Sequence, residues 1–184
     1  MNQDKLKQIR GHTKNCNMIK YYNTEVVFEE IPDEVTLAVN ITNCQFRCPG
    51  CHSSYLREDI GHELNFKAID ELIEKNDGIT CFCFMGEGND QKALMNDILY
   101  IQEKYPHIKI GVYSGDNMPT HLIGDAHTNG NIDFMNSVTY YKIGPYIKEM
   151  GPLNKKTTNQ KMFKITKIGE YQWDVDDITE RFWK

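Results

Sequence analysis

Cys44, Cys48 and Cys51 lie in the run Cys44-Gln-Phe-Arg-Cys48-Pro-Gly-Cys51, which puts three thiols within eight residues. Thiolates bind soft metals and iron–sulfur clusters, and a loop can wrap three of them around a cube. Cluster irons are usually held by four thiolates, so three from one loop leave a fourth ligand from elsewhere or one open iron. Two other chemistries share parts of the pattern. Cys48-Pro-Gly-Cys51-His52 fits the C-x-x-C-H motif of covalent haem attachment, which leaves Cys44 unused and normally goes with export. Cys44, Cys48, Cys51 and His52 also make a Cys3His zinc set, although the adjacent Cys51 and His52 bend poorly onto one tetrahedral ion.

The remaining thiols read differently. Cys81 and Cys83 alternate with Phe82 and Phe84 and so share one face of a strand, where small buried hydrophobes suffice to explain them. Cys16 stands alone in a polar stretch, and His12, His62, His107, His121 and His127 show no ligand spacing. A net charge of −5 leaves no cationic excess for a non-specific nucleic-acid surface. Met1 to Tyr22 lacks the apolar core of a secretory signal, and no window approaches the ~20 apolar residues of a membrane helix. A cytoplasmic, reducing setting is expected, in which clustered cysteines suggest metal or redox chemistry before disulfides.

The elements that must hold the cysteine loop are legible on both sides of it. Val35, Leu37, Val39 and Ile41 alternate as a strand that ends just before Cys44. Thr24 to Glu29 predicts a preceding strand, with Ile31-Pro32-Asp33-Glu34 as the turn of an N-terminal hairpin. Phe66, Ile69, Leu72 and Ile73 recur at helical spacing up to Asn76-Asp77-Gly78. Ile79 to Phe84 then predicts a strand running into Met85-Gly86-Glu87-Gly88, followed by a helix through Leu94, Ile98 and Ile101 that stops before Pro106. Ile108 to Tyr113 and Val138 to Ile143 predict two more strands, separated by a short helix and loops over Asp116 to Asn136. Strands alternating with helices imply βαβ units, so the expected class is α/β with a largely parallel sheet. The 184 residues fit one domain, with a core over about 24–150 and an edge strand and closing tail over about 151–184.

The spacing C-x-x-x-C-x-x-C after a core strand resembles the radical S-adenosylmethionine superfamily. The longer run Asn40-Ile-Thr-Asn-Cys44-Gln-Phe-Arg-Cys48-Pro-Gly-Cys51-His52-Ser53 resembles the cluster loop of anaerobic ribonucleoside-triphosphate reductase-activating proteins, which commonly have C-P-G-C. Lys142-Ile-Gly-Pro-Tyr146 and the Thr157-Thr158-Asn159-Gln160 ending are similar to later segments of that family, so the likeness spans about residues 18 to 165.

That resemblance implies a partial, open (β/α) barrel of the radical SAM type. It implies that Cys44, Cys48 and Cys51 ligate a 4Fe–4S cluster whose open iron binds S-adenosylmethionine. Reductive cleavage would give a 5′-deoxyadenosyl radical that generates a glycyl radical on anaerobic ribonucleoside-triphosphate reductase. The activity is then that of an oxidoreductase needing no side-chain acid or base, with a flavodoxin-like or ferredoxin-like electron donor. Gly50, Cys51 and His52 would lie beside the bound methionine or adenine. Met85-Gly86-Glu87-Gly88 falls where the superfamily has Gly-Gly-Glu or Gly-Gly-Asp on the methionine amino group, and here the order of glycine and acid is changed. Gly86, Glu87 and Gly88 are the expected contacts of that turn. Ser114-Gly115 resembles a further cofactor-facing loop.

Overall fold

The computed structural model describes residues 18–117 and 129–184. Cys16, His12, His121, His127 and the middle of the segment from Asp116 to Asn136 lie outside the described residues. Strands β1 (Lys20–Val27) and β2 (Thr36–Ile41) form the expected hairpin, with Val26 opposite Leu37. After the cysteine loop come β3 (His62–Glu63), helix α1 (Phe66–Lys75), β4 (Cys81–Met85) and helix α2 (Gln91–Lys104). The chain continues through β5 (Lys109–Tyr113), helix α3 (Asn129–Ser137), β6 (Tyr140–Ile143), β7 (Lys161–Gly169) and β8 (Gln172–Asp177).

All eight strands join one sheet in the order β3-β1-β2-β4-β5-β6-β7-β8. The centre, β2-β4-β5-β6, is parallel, and every other pairing is antiparallel. The sheet is therefore mixed and open rather than largely parallel. The difference comes from its flanks. β1 returns on β2 through a short connection, and β7 and β8 form a second hairpin where a closing tail was expected; short connections permit only antiparallel neighbours.

Period-two alternation splits the sheet residues between two cores. Leu37, Val39, Phe82, Phe84, Ile110, Val112 and Tyr141 face Ile69, Ile73, Leu94, Ile98 and Ile101 of α1 and α2. The helices begin where side chains satisfy their free N–H groups: Asn65 accepts from Ala68 N at 3.0 Å, and Asp90 accepts from Lys92 N and Ala93 N at 3.0 Å. On the opposite face Cys81, Cys83, Tyr140 and Met162 pack with Ile31, Leu153 and Phe182. Phe182 belongs to a 3-10 turn after β8 (Thr179–Phe182), which crosses back to the β1–β2 connection through Arg181–Asp33 (2.7 Å) and Lys184–Glu29 (2.6 Å). Among the described residues no helix is long and apolar enough to cross a membrane.

At the amino ends of the parallel strands the buried Glu34 collects donors from three of them. Thr80 Oγ1 donates to it at 2.6 Å and Tyr140 OH at 2.8 Å, and Lys109 Nζ makes an ion pair with the same carboxylate. Burial works against the charged form, but the three donors outweigh it and hold the carboxyl below the usual glutamate range. Glu34→Ala strands the buried Tyr140 hydroxyl, while the half-exposed Lys109 ammonium returns to water, and is expected to cost about 1–3 kcal/mol in urea unfolding at neutral pH. Because the folded-state pKa is depressed, this contribution is present above the ordinary glutamate range and fades as pH falls through the folded value. The gap between wild type and variant should therefore narrow on acidification.

Candidate metal and cofactor site

The carboxyl ends of β2, β4, β5 and β6 surround one cavity of about 420 Å³. Parallel α/β sheets characteristically bind ligands at that end. Ile41 and Cys44 reach the cavity at the end of β2 and beyond it, Met85 and Gly86 at the end of β4, Tyr113 to Gly115 at the end of β5, and Lys142 and Gly144 at the end of β6. Cys48, Cys51 and His52 line it as well, so the three thiols of the loop and the end of every parallel strand share one space.

The loop is shaped by its own hydrogen bonds. Cys44 N donates to Leu56 O at 3.0 Å, in the 3-10 turn Ser54–Arg57, and Cys51 N donates to Cys48 O at 3.2 Å. The Arg57 guanidinium donates to the same Cys48 carbonyl. Asn43 and Arg47, each preceding a cysteine, sit at φ values of 60° and 47°. Left-handed backbone at a non-glycine residue is disfavoured and gathers where surrounding contacts impose it. All three thiols are free and half-buried.

Among the described residues no three His, Cys, Asp or Glu side chains converge closely enough to hold a single metal ion. A cube of iron and sulfide makes no such demand, since each thiolate takes its own iron. Three half-buried thiols that line one cavity are a donor set of that kind and fit the cluster on those chemical grounds.

Gly86 lines the cavity at φ +127°, with Ile41 O 3.5 Å from where a Cβ would stand. Only glycine holds that backbone freely, and it leaves the peptide open to close approach. His52 is exposed at the cavity wall and meets Tyr146 edge-on at 6.1 Å. Gly50, Glu87 and Gly88 lie outside the lining. Gly50 faces the Lys148 side chain, and Gly88 packs toward Ile19, Ile41 and Thr42. The cavity also takes in Ser114-Gly115, with Phe46 of the cysteine loop laid directly on Gly115.

Glu87 turns inward, 7 % exposed, and its carboxyl is hydrogen-bonded to Ser114 and Tyr141. Burial, with the Asp116 charge adding to it, pushes its pKa up to about 7 against the pull of those two bonds. For an acid with a raised folded-state pKa, stability falls as pH rises from the ordinary glutamate value of 4.5 to about 7. The expected loss attributable to Glu87 is roughly 3 kcal/mol, and Glu87→Gln should abolish it. Unfolding midpoints of both proteins at about pH 5 and about pH 8 test this, since the variant should gain on wild type only at the higher pH.

Lys142 and Phe46 line the site without having been expected there. Lys142, inside β6, is 7 % exposed and lines the cavity. Its Nζ donates to Gly144 O at 2.7 Å and Ser114 O at 3.3 Å. Burial pushes its pKa down to about 8, while Cys48, Cys51 and Cys44 in ionised form pull it back up. A lysine at the centre of an otherwise apolar strand was the available signal. The Asn159-Gln160 pair also acquires a role: Asn159 Nδ2 donates to Pro145 O at 2.9 Å and Gln160 Nε2 to Gly144 O at 3.4 Å, fixing the turn after β6.

No protein-family model matches this chain, and no curated protein or solved structure matches it either.

Proposed function

We propose that the chain is a radical S-adenosylmethionine activase that generates a glycyl radical on an anaerobic ribonucleoside-triphosphate reductase, in the cytoplasm. One observation carries the reading: three free thiols of one loop open, together with the Gly86 turn, onto a single cavity at the carboxyl ends of four parallel strands. Reading the sheet as an open (β/α) barrel of the radical SAM type belongs to the same proposal. It is supported by the parallel order β2-β4-β5-β6 with helices between successive strands.

In this reading Cys44, Cys48 and Cys51 hold a 4Fe–4S cluster. When bound, that cluster supplies the electron that cleaves S-adenosylmethionine to a 5′-deoxyadenosyl radical. The chain's own residues orient and shield. Gly86 offers its backbone to the methionine portion, while the His52–Tyr146 pair and Phe46 on Gly115 provide aromatic walls. The hydrogen comes from a backbone glycine of the partner, so no side-chain acid or base is needed. A flavodoxin-like or ferredoxin-like protein supplies the electron.

The test is anaerobic reconstitution with iron and sulfide, followed by dithionite and S-adenosylmethionine. Release of 5′-deoxyadenosine is expected, and a loaded cluster that never releases it sinks the enzyme reading. Adding the reductase should produce a glycyl radical signal in electron paramagnetic resonance. Cleavage of S-adenosylmethionine without that signal would move the substrate to another glycyl-radical protein or a small molecule.

A further inference from the structure

We infer that Lys142 is the internal counter-charge of the three-cysteine centre, a positioning residue that makes the centre easier to reduce. This rests on the cluster reading and extends it to a residue outside the cysteine loop. An ammonium buried in a strand interior is costly unless an opposite charge answers it. Two of its three N–H donors go to Gly144 O and Ser114 O, and its Nζ stands 6.0 Å from the centre of the Tyr113 ring. Carbonyls and a ring face solvate the charge without neutralising it. No described carboxylate forms an ion pair with Lys142.

Lys142 shares the cavity lining with Cys44, Cys48 and Cys51, whose sulfurs would carry negative charge as cluster ligands and would then act on it. The attraction is mutual. A fixed positive charge in a low-dielectric site favours whichever state of its neighbour is more negative, and the centre gains a negative charge when it accepts one electron from a low-potential donor. The placement is also rigid, because Gln160 and Asn159 pin the Gly144 turn that holds the ammonium. The counter-charge role explains why a lysine is tolerated inside β6; Arg47 and Arg57 also line the cavity, and Lys142 differs from them in being buried within the sheet.

The experiment compares wild type, Lys142→Met and Lys142→Arg after anaerobic reconstitution, measuring iron per chain and titrating the reduced cluster signal against potential. At the wild-type midpoint the ratio of reduced to oxidised cluster should fall about tenfold or more in Lys142→Met, a shift of about 59 mV downward for one electron. Lys142→Arg should stay within about threefold of wild type. Wild type that holds no cluster overturns the cluster reading and this inference with it. Wild type that holds one, with Lys142→Met titrating at the same potential, overturns the counter-charge role alone. If Lys142→Met loses the cluster, Lys142→Arg decides: a retained cluster at the wild-type potential supports the charge, and loss in both shows that Lys142 serves packing only.

Discussion

Cys48→Ala is expected to lower iron per chain after reconstitution and to reduce 5′-deoxyadenosine release on the order of 100-fold or more, with the fold retained. Alanine preserves the loop because what positions Cys48 is its backbone: the carbonyl takes bonds from Arg57 and from Cys51 N. Only the thiolate is removed. Neither remaining described thiol can replace it. Cys81 and Cys83 are fully buried, burial pushes Cys81 up to about 12, and it raises Cys83 well above the ordinary range, so both stay protonated. Cys83 also contacts Met85 Sδ at 3.7 Å, which suits a packed thiol. Cys83→Ala should therefore leave iron content unchanged and serves as the paired control. Activity surviving Cys48→Ala with an intact cluster would refute the ligand assignment.

The contrast between those cysteines is legible in the amino-acid sequence, because alternation with Phe82 and Phe84 marks Cys81 and Cys83 as strand residues while Pro49 and Gly50 mark a loop. The central strands and the two main helices are legible for the same reason: each buries one periodic face. What escapes are elements whose stability comes from pairing. β8 reads Gln-Trp-Asp-Val-Asp-Asp, an exposed edge strand with acids on both faces, and its hydrophobic pattern is too weak to announce a strand. β3 is two exposed residues held by Lys20 and Tyr21 of β1. β1 itself begins at Lys20, earlier than its apolar residues suggest, since Tyr21 pairs with Ile41 across an irregular register.

The candidate site divides along the same line. The three cysteines and Gly86 reach one cavity as their spacing suggests, because a loop after a core strand and a turn after its parallel neighbour must emerge at the same sheet end. The inward turn of Glu87 depends on Ser114, just after β5, and on Tyr141 of β6, both far from it in the chain. Lys142 is visible as a charge in an apolar run, but its meaning requires knowing that β6 ends beside the cysteine loop. Phe46 is hidden altogether, since its neighbour is nearly seventy residues away in the chain.

That contact carries the second large prediction. A Cβ added at Gly115 would stand 2.5 Å from Phe46 Cγ, 2.6 Å from Cδ2 and 2.9 Å from Cβ. These atoms lie at the root of the side chain, so rotating the ring cannot clear all three contacts and the loop backbone between Cys44 and Cys48 must move. Gly115→Ala is expected to cost iron retention after reconstitution by about tenfold, the scale seen when support around a metal site is lost. Global stability should change little, because Phe46 is 39 % exposed and lies outside both buried cores. Phe46→Gly combined with Gly115→Ala removes all three contacts, the Cβ at 2.9 Å included, and should restore most of the iron. Measured as iron per chain across the two single variants and the double, this cycle separates a collision from a general weakening. Losses that simply add would mean that the glycine and the phenylalanine support the loop independently.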